Sequence, residues 1–281
     1  MERGYRELII MQYSSSQPLP VAPSCRGGSK ARGRYLACWL ILLLIIGTAA
    51  DAADTGVLLD KVAKAYGGVE RLAETTVWQQ YGTTVSALHP QPGELHRAFA
   101  YPDRLRIEIS YEDDSSELRI LSGAVAWNSG EKVSGVKYSS MLLQAARLGL
   151  PNTLIVHRNS LQDTGTMTGQ NGKSLRSLEL AFHGNLRLVA GIDPGTGHIL
   201  ETRGFVGMGQ DQSMAFATTY DDFRMIGGRL FAFRETHYIM GKQRGQTLLE
   251  RIEHADQLPG TLFDGTSPTR PGPGQRVARR Q

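Results

Sequence analysis

Residues 98–110 read AFAYPDRLRIEIS, and the second half of that stretch decides the fold. Leu105, Ile107, Ile109 and then Tyr111 occupy one set of alternate positions, and Arg104, Arg106, Glu108 and Ser110 the other. A period of two marks a half-buried β-strand, because successive side chains leave a pleated strand on opposite faces. Pro102 opens the strand where a missing N–H breaks no ladder bond, and Asp103 beside it is a turn residue. One apolar and one charged face describe a sheet packed on one side only. Function then turns on what lies against the apolar side, and a lipid-like ligand or partner is the expectation.

Outward from this strand the alternation repeats. TVWQQYGTTVSAL (76–88) and Leu95–Tyr101 precede it, separated by a turn with Pro90, Pro92 and Gly93. Glu112–Ser115 is a solvated hairpin tip without the ligand spacing or terminal glutamate of a calcium loop. Glu117–Ser122 and Ala124–Trp127 continue the sheet. From Leu175 onwards the strands return as SLELAF, LRLVAGID and HILETRGFV, followed by the run Met214–Tyr220, Leu230–Met240, and Leu248–Glu253 beyond a turn at Lys242–Gly245. Asp193–Gly197 supplies strong hairpin chemistry between two of them. Nine or more antiparallel strands with short turns and few helices make a mainly β, α+β fold built on one curved sheet.

Three helical stretches interrupt the pattern. Leu58, Leu59, Val62, Ala63 and Tyr66 recur at helical spacing behind a cap at Asp54 or Thr55, and a short helix over Val69–Glu74 follows Gly67-Gly68. Ser139 or Ser140 is expected to cap MLLQAARLGL, which ends at Gly149, with Pro151 opening a second apolar piece. A helical insertion in an all-β run covers something, either core or ligand.

The ends differ from the body. YLACWLILLLIIGTAA (35–50), preceded by Arg26, Lys30, Arg32 and Arg34, has the layout of a secretory signal peptide cleaved after Ala52 or Ala53. An uncleaved anchor is the alternative, and a periplasmic body is implied either way. Residues 265–281 are rich in Pro, Gly and Arg, and this tail is expected to be disordered. The domains are therefore 1–52 leader, 53–264 folded body and 265–281 tail. Of 31 Lys and Arg, six lie in 1–52 and four in 265–281; of 27 Asp and Glu, three lie in 1–52. That leaves 21 basic against 24 acidic residues in the body, a formal −3, so the net +4 belongs to the ends and nucleic acid is not an expected partner. Both cysteines, Cys25 and Cys38, fall in the leader, which leaves the body without disulfide, thiol nucleophile or thiolate metal site.

The motifs of chemistry are missing. There is no nucleophile elbow, phosphate loop or paired metal-type histidine spacing, and His89, His96, His157, His183, His198, His237 and His254 are scattered. Gly204, Gly207 and Gly209 form G-x-x-G-x-G, but between strands rather than between a strand and a helix.

GGVERLAETTVWQQYGTT, YPDRLRIEI, DPGTGHILE and YDDFRMIGGRLFAFRETHYIMGK running to LPGTLF resemble the periplasmic lipoprotein-carrier superfamily, which includes outer-membrane lipoprotein-sorting proteins, over roughly residues 56–264. The resemblance implies a half-open β-barrel whose apolar mouth is covered by helices and holds acyl chains or a lipidated protein. In lipoprotein carriers an arginine usually precedes the proline of the third strand and helps hold the lid closed. Here Tyr101 stands at that position, so gating by that arginine does not carry over.

The expected function is an exported, monomeric, non-enzymatic carrier without cofactor or metal. Its ligand would be lipid or lipoprotein acyl chains. Candidate lining residues are Leu105, Ile107, Ile109, Leu118, Ile120, Trp127, Leu178, Leu180, Phe216 and Tyr220, with Leu142, Leu143 and Leu148 on the lid. Each is equally what a core would use. The alternatives are an envelope-state sensor acting through a membrane-protein partner and an enzyme of lipid or polysaccharide metabolism.

Overall fold

A computed structural model describes residues 54–265 except Leu88, Gln210 and Asp211. The leader, both cysteines and the tail beyond Gly265 lie outside the described residues.

The chain forms one antiparallel sheet of thirteen strands. After helix α1 (54–65) and helix α2 (Val69–Glu74) come β1 (Val77–Ser86), β2 (His89–Ala100), β3 (Arg104–Ser110), β4 (Ser116–Ser122), β5 (Val125–Asn128) and β6 (Glu131–Val133). Helices α3 (Gly135–Leu148) and α4 (Asn152–Val156) follow. The remaining strands are β7 (Gln162–Thr168), β8 (Ser174–Phe182), β9 (Leu186–Ile192), β10 (Ile199–Gly209), β11 (Gln212–Ile226), β12 (Arg229–Ile239) and β13 (Lys242–His254). Every neighbour is consecutive in sequence except one, β1 against β13, and the outer strands β6 and β7 do not pair. The sheet is thus two meanders joined back to back and left open. The segment from β6 to β7 must travel from one edge to the other, and it does so as α3 and α4 across the concave face. The lid is a consequence of the topology.

Helix α3 starts a turn earlier than the expected serine cap. Tyr138 continues the spacing of Met141, Leu142 and Ala145 and packs on the same core, while Ser140 Oγ donates back to the Lys137 carbonyl at 2.7 Å from inside the helix. Asp54 and Thr55, expected as caps, are helical. Asp54 pairs with Arg176 at 2.7 Å and Thr55 Oγ1 donates to Asp163 at 3.4 Å, which ties α1 to β7 and β8. Pro102 lies in the turn before β3, and the β12–β13 turn is tighter than expected, at Met240-Gly241. The three glycines from 204 to 209 are inside β10 rather than between strands.

The largest correction concerns β3 itself. Both of its faces are buried: Arg106 and Glu108, expected as a solvated ladder, are each 2% exposed. Their guanidinium and carboxylate pair at 3.2 Å, and Arg106 Nη1 donates to the Leu262 carbonyl at 3.4 Å. The lid against this convex face is the C-terminal segment, whose 3-10 turn Gly260–Phe263 seats Phe263 among Ala98, Ala100, Leu118 and Ile120.

Candidate functional site

Between α3 and the concave face lies a cavity of about 740 Å³. Leu95, Ile107 and Ile109 from β2 and β3, Met141 and Leu143 from α3, Leu188 from β9 and Phe216 from β11 supply its apolar walls. The close fit of helix to sheet rests on Gly204, where a Cβ would lie 2.7 Å from Leu143 Cδ1.

The thirteen expected lining residues divide into four groups. Ile107, Ile109, Leu143 and Phe216 line the cavity. Leu148 and Tyr220 line a smaller adjoining cavity of about 60 Å³. Leu105 is enclosed with Trp78 and Phe99, Leu142 is packed between α3 and the sheet, Leu178 lies under α1, and Leu180 is buried opposite Leu188. Leu118, Ile120 and Trp127 do not line the cavity. Register sets Leu118 opposite Glu108, Ile120 opposite Arg106 and Trp127 opposite Ile120, so all three share the convex face, where Gly265 lies against the Trp127 indole. Both faces of β4 carry apolar residues, so its alternation alone does not say which is concave.

The feature missed in the sequence is a buried polar floor. Arg97 on β2 grips Glu235 on β12 with two bonds, Nη1 to Oε1 at 3.0 Å and Nη2 to Oε2 at 3.2 Å, and Nη1 also donates to Gln80 Oε1 at 2.9 Å. Arg147, in the last turn of α3, reaches the same carboxylate at 4.0 Å and donates to Thr218 Oγ1. Thr218 meets His237 Nδ1 at 3.2 Å, His237 Nε2 meets Thr247 Oγ1 at 3.0 Å, and Thr247 meets Thr84 at 3.2 Å. Thr84 Oγ1 donates to the Gln246 carbonyl at 3.2 Å. Because Thr84 gives its one hydroxyl proton to the Gln246 carbonyl, it accepts from Thr247, which in turn accepts from His237 Nε2–H and leaves Nδ1 to accept from Thr218. The chain runs in one direction, from the guanidinium to a backbone carbonyl.

Electrostatics agree with that assignment. Burial pushes His237 down and the Arg147 charge adds to it, to about 3, so the ring is neutral at ordinary pH. Burial would push Glu235 up, but Arg97 and Arg147 outweigh it and hold the carboxyl at about 2. His237 keeps 27% of its side-chain surface exposed, and it faces the cavity.

A sequence signal for this floor exists. Leu95, Arg97 and Phe99 share one face of β2, and Phe231, Phe233 and Glu235 one face of β12, each an apolar row broken by a charge. Tyr101, at the position of the lid-holding arginine, still meets the lid: a Cβ on Gly149 at the end of α3 would come within 3.0 Å of its ring.

No family's sequence profile matches the chain. No curated protein matches it. Among solved structures it is similar to a LolA superfamily protein from Nitrosomonas europaea, with 9% identity, TM-score 0.48, and 75% of this chain and 97% of that one covered. It is also similar to a domain from Vibrio parahaemolyticus provisionally named as outer membrane lipoprotein-sorting, with 11% identity, TM-score 0.44 and coverages of 69% and 93%. A DUF1329 family protein from Desulfovibrio piger is similar at 8% identity and TM-score 0.43, with coverages of 75% and 97%.

Proposed function

We propose that this protein is an exported carrier, without catalysis of its own, that holds lipid or the acyl chains of a lipoprotein between α3 and the sheet. The observation that carries the reading is the cavity. Its volume of about 740 Å³ lies within the ~300–1,000 Å³ usual for small-molecule sites, and most of the wall surface it presents is apolar although polar side chains are interspersed. Burying a chain of about 12 to 16 methylenes at ~0.8 kcal/mol each offers on the order of 10 kcal/mol, enough to offset much of the cost of association. His237, the one histidine in the cavity, is too weak a base for proton abstraction near neutral pH. Arg147 fastens α3 to the floor through Thr218, so the lid and the ligand space share one anchor.

The test is extraction of natively purified protein with solvent and mass spectrometry of the extract. Stoichiometric lipid supports the carrier; a protein that is empty and takes up no added lipid overturns it and favours the partner-binding sensor. Export to the periplasm is part of the proposal, and amino-terminal sequencing of envelope protein should find Ala53 or Asp54 first.

A further inference from the structure

We propose that the cavity selects a single-chain amphiphile with a carboxylate head, and that the head enters first and comes to rest against Arg147. The inference rests on the carrier reading and adds the chemistry and direction of the ligand.

Charge is the first observation. Arg97, Arg119, Lys137, Arg147 and Arg244 line the cavity against Glu117 alone, with Glu235 beneath the floor as a second carboxylate. Five cations against two anions sit inside a body whose formal charge is −3. A concave, low-dielectric site of one sign concentrates counter-ions of the other.

Geometry then locates the head. Arg97 holds both oxygens of Glu235 at hydrogen-bond distance, whereas Arg147 stands 4.0 Å from the carboxylate, beyond that distance. His237 is neutral and offers no compensation. Arg147 is therefore a guanidinium at 13% side-chain exposure whose charge is not balanced within the floor. Its hydrogen bond to Thr218 uses one of five N–H donors, and the side chain borders the cavity. A charge so enclosed is costly unless paired, and a carboxylate matches a guanidinium edge with two parallel bonds. Lys137 and Arg244 are exposed at the other end, where water already solvates them and an ion pair gains little. The shielded cation gives the greater gain, so the head goes inward and the alkyl chain follows along Ile107, Ile109, Met141, Leu143 and Phe216. Chains tethered to a protein by their head end cannot adopt this orientation, which makes the ligand a free acid.

The experiment compares hexadecanoic acid with its methyl ester, each titrated into the full chain after solvent removal of endogenous ligand. The acid should bind at least about tenfold more tightly, as expected for a hydrogen bond to a charged group. Arg147→Gln should bring the two within about threefold of each other, and Arg147→Lys, which keeps the charge, should retain most of the preference. A melting profile shows that each variant is folded; if Arg147→Gln is not, the unmutated protein and Arg147→Lys still decide the matter. Equal binding of acid and ester by the unmutated protein overturns the head-first proposal and leaves the carrier reading standing. Binding of neither overturns both.

Discussion

Arg97 and Glu235, 138 positions apart, meet as a two-bonded ion pair beneath the cavity, both within 5% of full burial. Removing one partner strands the other in a low-dielectric site. Arg97→Met or Glu235→Leu should each cost ~3–5 kcal/mol, while the double change Arg97→Met/Glu235→Leu should cost clearly less than the sum. Denaturant unfolding of the four proteins measures this. Additive losses would show that the two side chains act independently.

The same floor sets a pH dependence. His237 ordinarily titrates at 6.5 and in the fold at about 3, so below pH 6.5 the unfolded chain takes a proton that the folded one refuses, and stability falls. Glu235 moves from 4.5 to about 2, so its contribution is complete above pH 4.5 and is lost as pH falls towards 2. Both slopes have one sign. Unfolding free energy should decline continuously from pH 7 to 4, and His237→Gln should flatten the part between about 6.5 and 4.5. An unchanged slope in that variant would place the pH dependence elsewhere.

Gly204 gives a test of the lid. A branched side chain there would occupy the space of Leu143 Cδ1, 2.7 Å from the first added atom. Gly204→Val should destabilise by ~1–3 kcal/mol through overpacking, and α3 should stand further from β10. The amount of lipid extracted per protein should fall with it. A variant of reduced stability but full lipid content would separate lid seating from ligand capacity.

Much of this architecture was legible because period-two alternation and turn chemistry are local properties. Hairpins such as Asp193–Gly197 and the end of α3 at Gly149 follow from neighbouring residues alone. Strand β7, QDTGTMT, was not legible: it is an edge strand with an almost wholly exposed burial pattern and Gly165 inside it, so it carries no apolar row. The faces of β4 were misassigned because either could be buried until β3 fixes the register. The floor was visible only as two isolated charges in apolar rows. That they answer each other is a fact of the strand order, in which β1 and β13 bring the two meanders together.

The convex side depends on a few residues near the chain's end. Phe263 is 2% exposed among Ala98, Ala100, Leu118 and Ile120, and the Arg104 guanidinium lies 5.5 Å from its ring centre. Next to it the Leu262 carbonyl accepts from Arg106, whose ion pair with Glu108 would otherwise face water on one side. Phe263→Ala removes the apolar plug, and a buried phenylalanine truncated to alanine costs ~3–5 kcal/mol. Leu262→Ala keeps the backbone carbonyl and a half-buried position, so it should cost much less. Unfolding measurements on the pair should rank them in that order. Faster amide exchange along β3 in Phe263→Ala alone would show that the C-terminal segment protects the strand from its polar side. Equal, small effects of both substitutions would mean that the sheet holds its convex charges without a cover.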